Sequence, residues 1–112
     1  MRTKVNPSGW RRANDPSLLI LTSLAQGAKH GYALAQDIED FAGAVLSPGT
    51  LYGAITRLEE AGLIAAQPEE RRRRPYAITA AGSAALAEAV ADMSRLAGVG
   101  RQRLGLATWR MA

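Results

Sequence analysis

The stretch "SPGTLYGAITRLEEAGLI", Ser47 to Ile64, decides how the rest of the chain is read. Ser47 can cap the free N–H groups of a helix, and Pro48 fits the first helical position, where its missing N–H costs nothing. Leu51, Ile55 and Leu58 recur at i, i+4 and i+7, one face of a helix. Gly62 suits a C-terminal cap. The spacing predicts a helix from Pro48 to Ala61 with an ordinary apolar inner face. The other face carries Gly49, Thr50, Tyr52, Gly53, Thr56 and Arg57, which are small, hydroxylated or guanidinium-bearing. Small residues let the backbone come close to a duplex, hydroxyls donate to phosphate oxygens, and arginine can bond a guanine edge in two places. A helix start adds partial positive charge. Glu59 and Glu60 come only at the far end. A plain solvated face has a similar composition, so the neighbouring segments carry the decision.

Upstream, Asp15 and Pro16 supply a cap and a first helical residue for a helix to Gln26, with Gly27 as a left-handed C-terminal cap. Leu18, Leu19, Leu21 and Leu24 give it a broad apolar face. In "HGYALAQDIEDFAG", Leu34, Ile38 and Phe41 fall on one helical face, Asp37, Glu39 and Asp40 are left to solvent, and Gly43 ends the helix. A short connector, Ala44 to Leu46, leads into the opening stretch. Downstream, Leu63 to Gln67 and Tyr76 to Thr79 read as short strands. Pro68, Glu69, Glu70, Arg71 to Arg74 and Pro75 lie between them. The prolines confine the strands to the ends of a β-hairpin with a charged tip. Thr79 then caps a fourth helix, Ala80 to Ala97, which Gly98 and Gly100 end.

The order is helix, helix, turn, helix, hairpin, helix. The expected fold is mainly α with a small β-hairpin, a winged helix-turn-helix followed by a C-terminal dimerisation helix. The expected segments are a basic N-terminal arm (1–14), a DNA-binding domain (15–79), the dimerisation helix (80–97) and a basic tail (98–112) that contains Trp109. In that architecture Arg71, Arg72, Arg73 and Arg74 sit where a wing meets flanking backbone or the minor groove. The fourth helix could fold back on its own core. The expectation is that it pairs across a two-fold axis through Leu86, Val90, Met93, Leu96 and Ala97, because two-fold operators need two reading helices.

Bulk properties agree. A chain of 112 residues suggests one domain, and one this long buries roughly two-thirds of its unfolded surface. Hydrophobic residues at 47% argue against a disordered tail. Net charge is +4, and twelve of the fourteen basic residues are arginine, whose planar fork suits phosphate and base edges. With no cysteine and one histidine, disulfides, thiolate chemistry and Cys- or His-rich metal sites are excluded. His30 has no catalytic pattern around it and reads as structural. The serines and threonines lack a base, and no phosphate-cradling glycine loop exists. Neither an enzyme nor a bound cofactor is expected. Apolar runs such as Leu18 to Leu21 are too short to span a bilayer, and no apolar signal region lies near the N-terminus, so a cytoplasmic protein without membrane contact is expected.

Three blocks, "HGYALAQDIE", "SPGTLYGAITRLEEAGLI" and "RPYAITAAG", occur in this order and together resemble the PadR-like transcriptional regulators over about Pro16 to Ala97. The resemblance implies a bacterial repressor, homodimeric through its C-terminal helix and the partner's first helix. It implies that Ser47, Pro48, Gly49, Thr50 and Tyr52 begin the recognition helix, and that Arg74, Pro75 and Tyr76 follow the wing tip. Some members sense small aromatic or drug-like effectors at the dimer interface. The small drug-sensing ones place a tryptophan in the terminal helix, whereas Ala80 to Ala97 holds no aromatic. The functional expectation is a sequence-specific DNA-binding regulator, a homodimeric repressor of a double-stranded operator that a small aromatic effector could release. The alternative is a winged-helix module for protein–protein interaction without specific DNA binding.

Overall fold

The computed structural model describes residues 14–106. The expected N-terminal arm, with Trp10, and the end of the tail, with Trp109, lie outside the described residues.

Four helices and one hairpin follow each other as α1 (Pro16–Leu24), α2 (Gly31–Ala42), α3 (Pro48–Glu60), β1 (Ile64–Ala66), β2 (Tyr76–Ile78) and α4 (Ala80–Arg103). Each helix starts on a side-chain cap. Asp15 Oδ1 accepts from Ser17 N at 2.9 Å, Ser47 Oγ from Thr50 N at 3.2 Å, and Thr79 Oγ1 from Gly82 N at 3.0 Å. These bonds satisfy N–H groups that the first helical turn leaves without partners. The fourth cap is His30, whose Nδ1 accepts from Ala33 N.

The hydrophobic core forms around α1. From Ser17 to Leu24 every residue except Thr22 is buried, so the helix has apolar neighbours nearly all round. Leu34 and Ile38 of α2, Leu51, Ile55 and Leu58 of α3, and Ala85 and Ala89 of α4 close over it. Two serines are buried with it, Ser17 beside its cap and Ser23, 1% exposed. The Ser23 hydroxyl donates to Asp37 Oδ2 at 2.6 Å, and the Ser23 carbonyl accepts from Lys29 Nζ at 2.6 Å. Ser23 thus joins the end of α1, the linker after it and the middle of α2.

The hairpin is antiparallel, with Ile64 opposite Ile78 and Ala66 opposite Tyr76. Lys29, in the linker between α1 and α2, pairs with Tyr76 in both directions: Lys29 N donates to Tyr76 O at 3.1 Å and Tyr76 N to Lys29 O at 2.9 Å. That linker is a one-residue third strand that pins the hairpin to the start of α2. At the other side, Thr79 N donates to Leu63 O at 3.1 Å and Thr79 Oγ1 to Gly62 O at 2.7 Å. Gly82 is required there: a methyl group at its position would come within 2.8 Å of Ile78 Cγ1 and closer still to the carbonyl oxygen of Leu63.

Several boundaries differ from the sequence-based expectation. The largest change is in α4, which runs to Arg103 and carries Gly98 and Gly100 inside it. A helical glycine costs only about 1 kcal/mol relative to alanine, and the alanine-rich turns before it propagate the helix. Arg101 and Arg103 in the last turn complement the helix dipole. The chain leaves the helix at Gly105, which has φ +77°. Helix α1 ends at Leu24 with Ala25 as its cap, while Gly27, at φ +157°, is not in the left-handed helical region. Phe41 is 46% exposed, not packed with Leu34 and Ile38, because it falls in the last turn of α2, beyond the reach of the core. β1 is one residue shorter than expected at each end and β2 one residue shorter at its C-terminal end: Gln67 N still donates to Pro75 O and Thr79 N to Leu63 O, but Pro75 has no N–H to return and Thr79 turns into α4 as its cap. Among the described residues no helix is long and apolar enough to cross a membrane.

Candidate nucleic-acid interface

Two chain segments rich in exposed polar side chains meet at one edge of the fold. The first is the start of α3. Ser47, Pro48, Gly49, Thr50, Tyr52, Thr56 and Arg57 are all exposed and Gly53 is half-buried, opposite the buried Leu51, Ala54, Ile55 and Leu58. Ser47 Oγ also donates to Thr50 Oγ1 at 3.0 Å, so the two hydroxyls hold each other at the helix tip. Thr56 Oγ1 donates back to Tyr52 O at 2.9 Å. A methyl group at Gly53 would lie 3.6 Å from Arg57 Nη1, which places the guanidinium back along α3 toward its N-terminus. Glu59 and Glu60 stand in the last turn, away from this tip.

The second is the hairpin loop. Glu70 N donates to Arg73 O at 2.7 Å and Arg73 N to Glu70 O at 2.8 Å, which closes a two-residue turn on Arg71 and Arg72. Both have positive φ, +50° and +68°. Such turns match the twist of a hairpin but normally use Asn-Gly, because a β-carbon is disfavoured there. The arginines therefore occupy a costly backbone with their side chains exposed at the tip. The other two arginines lie against the body of the fold. Arg74 Nη1 donates to Gln67 O at 3.1 Å across the hairpin, and Arg73 Nη1 lies 3.1 Å from His30 Nε2. Among the described residues no wing arginine forms an ion pair with a carboxylate; the only such pair is Arg95 with Asp92 on α4. Glu69 and Glu70 thus leave the arginine charges unpaired.

Tyr52 joins the two segments. Its ring lies over Gly31, the first residue of α2, so closely that a methyl group there would come within 2.7 Å of Cζ. The tyrosine fixes the approach of α3 to α2 while half of it stays exposed. Between it and the hairpin is a cleft of about 350 Å³ bordered by His30, Tyr32, Arg72, Arg73, Arg74 and Tyr76. Tyr76 is half-buried and packs partly against the core, so its ring is shared between packing and the cleft.

Of the residues expected at this interface, the structure brings Tyr52, Arg72, Arg73, Arg74 and Tyr76 to the cleft and leaves Arg71 at the turn beside it. Ser47, Pro48, Gly49 and Thr50 form the neighbouring helix tip, while Thr56 and Arg57 lie further along the outer face of α3, Arg57 in its last turn. His30 and Tyr32 were not expected here. Their signal, a His-Gly-Tyr at a helix start, becomes meaningful only once Lys29 pairs with Tyr76 and draws the hairpin alongside.

The fold and this edge can be set against known proteins. The model of the transcriptional regulator PadR-like family matches residues 20–88. The chain belongs to that family. The PadR-like chain is 40% identical over 91 residues to the transcriptional regulator Rv3488 of Mycobacterium tuberculosis, covering 79% of this chain and 81% of the relative. It is 44% identical over 87 residues to an uncharacterized 37.1 kDa protein in transposon TN4556 of Streptomyces fradiae, covering 78% of this chain but only 25% of that relative. This chain therefore spans a quarter of the length of the Streptomyces protein. The crystal structure of a PadR family transcription regulator from Clostridium difficile R20291 has the same fold, with TM-score 0.71 at 24% identity over 80% of this chain and 97% of that one. The PadR-like architecture, mostly helical with a two-stranded wing and a C-terminal helix, matches the expectation from sequence.

The residues expected to pair two copies are divided by the structure. Leu86 and Met93 are partly buried against the chain's own core. Val90, Leu96 and Ala97 are exposed, Leu96 to 74%. Leu96 follows Ala89 by seven residues, so the helical face that buries Ala85 and Ala89 continues past the end of the core, where none of the described residues covers it.

Proposed function

We propose that this PadR-like regulator is a homodimeric repressor that binds a double-stranded DNA operator in the cytoplasm, with no catalytic activity. The observation that carries this reading is the shared edge. The exposed start of α3 and the unpaired wing arginines border one cleft, with Tyr52 on one side and Arg72 to Arg74 on the other. In the proposed complex, α3 enters the major groove by its N-terminal turns, with Gly49 and Gly53 allowing close approach and Thr50 and Arg57 facing base edges. Ser47 and Pro48 flank this contact at the helix tip, Thr56 lies further along the same helix, and Tyr76 closes the cleft from the wing. The wing arginines neutralise phosphates on the adjacent backbone. A repressor acts by occupying such a site, and a two-fold operator is met by two copies joined through α4, where Val90, Leu96 and Val99 are exposed apolar residues. Helix α4 has no aromatic side chain, so the reading includes no aromatic stacking pocket for an effector at that interface.

Fluorescence anisotropy with a labelled duplex from upstream of its own gene, run across a salt series, tests the proposal. Affinity should fall by about 0.9 log unit per log unit of salt for each phosphate neutralised. Replacing Arg71 to Arg74 with alanine should weaken binding to every duplex and flatten that slope. No binding near physiological salt would favour a protein-interaction module instead.

A further inference from the structure

His30 is asked for two hydrogen bonds that it cannot accept together. A neutral imidazole has one N–H and one lone pair on its ring nitrogens. Here Nδ1 accepts from Ala33 N at 3.3 Å, and Nε2 lies 3.1 Å from Arg73 Nη1. A guanidinium can only donate. Both ring nitrogens therefore face donors. If Nδ1 caps α2, the proton is on Nε2 and two N–H groups converge. If Nε2 accepts from Arg73, Nδ1 carries the proton and α2 loses its cap.

An acceptor seated between Nε2 and the guanidinium removes the conflict, because Nδ1 then caps α2 while Nε2–H and Arg73 both donate outward. The surroundings set the charge of that acceptor. Arg72 and Arg74 border the cleft with the hydroxyl-bearing Tyr32, Tyr52 and Tyr76. Among the described residues that border the cleft and the adjoining opening, Glu70 is the one carboxylate, on the opening with Arg71. Several arginines against one carboxylate favour an anion. The cleft also lies beside the start of α3, where a duplex engaged by that helix would carry its backbone.

We propose that this cleft seats one phosphodiester of the DNA backbone, held by His30 Nε2–H and the Arg73 guanidinium. His30 is then a DNA ligand whose proton position is set by the helix it caps. This rests on the DNA-binding reading above and adds a residue and a single phosphate to it.

Two substitutions separate the two ring nitrogens. H30N puts an amide oxygen near the Nδ1 position and is a preferred N-cap, but it has no donor at Nε2. H30Q reaches the Nε2 position with an N–H and caps poorly. H30N should keep the wild-type melting temperature and bind DNA roughly ten-fold or more weakly, the cost of a lost hydrogen bond to a charged group. H30Q should bind more tightly than H30N. In duplexes carrying one neutral methylphosphonate at successive backbone positions, one position should weaken the wild type by more than it weakens H30N, in which Arg73 alone still holds that phosphate. Wild-type affinity in H30N would overturn the proposal, as would a melting temperature that falls along with affinity, or the absence of any such backbone position. If the wild type itself binds no duplex, the DNA-binding reading fails; if it binds and H30N binds equally well, only the phosphate site fails.

Discussion

Exchanging the wing turn, R71N together with R72G, should make this protein more stable and a poorer DNA binder. The reasoning starts from the backbone. Arg71 and Arg72 sit at φ +50° and +68°, and the paired bonds between Glu70 and Arg73 leave no other residues to form the turn. A left-handed backbone costs an ordinary residue roughly 1–2 kcal/mol, which asparagine and glycine largely avoid. Glycine gives back about 0.5–1 kcal/mol through the freer unfolded chain. With both residues relieved the net gain is about 1–3 kcal/mol, and at about 4–8 °C per kcal/mol for a domain this small it is readable as a raised melting temperature. Protein concentration must be held fixed, since a dimer's melting point depends on it. The same change removes two unpaired positive charges per protomer, so the salt slope of DNA binding should become shallower by about 1.8 for each protomer engaged if each arginine neutralises one phosphate. The control R71K/R72K keeps both the charge and the β-carbons, and should change neither the melting temperature nor the slope. An unchanged or lower melting temperature in R71N/R72G would refute the strain argument. An unchanged slope would refute the wing's contact with phosphate.

Other expectations follow from close approaches and uncovered surface. Gly82→Ala drives a methyl group into the Leu63 carbonyl and Ile78, a rigid neighbourhood, and should cost about 1–3 kcal/mol or more in denaturant titrations. Gly31→Ala meets only the half-exposed Tyr52 ring, which can swing aside, so it should melt near wild type yet bind DNA more weakly. Ser23→Ala strips a buried donor from Asp37 and should lower stability by about 1–3 kcal/mol. Leu96→Asp charges an apolar face that the chain's own core does not reach, so sedimentation should show monomers with an unchanged circular dichroism spectrum.

Much of the fold was legible because its signals are local. Ser47-Pro48 and Asp15-Pro16 announce helix starts through the backbone N–H groups they satisfy. The Leu51, Ile55 and Leu58 spacing reports a buried face wherever the helix is placed. The three family blocks were equally visible. The end of α4 was misread because glycine is a weak stop: its cost is small beside the propagation of an alanine-rich helix, and only Gly105 adopts the left-handed backbone that ends it. Phe41 was misassigned because periodicity gives a direction but not how far a core extends.

The sequence by itself determined the elements, their order, the inner and outer faces of α3 and the arginine content of the wing. These depend on interactions within a few residues along the chain. The tertiary structure decided what no local pattern encodes. Pairing of Lys29 with Tyr76 brings the wing beside α2. That pairing sets His30 against Arg73 and leaves Tyr52 lying on Gly31. The physical reason is distance along the chain: residues more than forty positions apart share one cleft, and nothing in either segment alone records its neighbour.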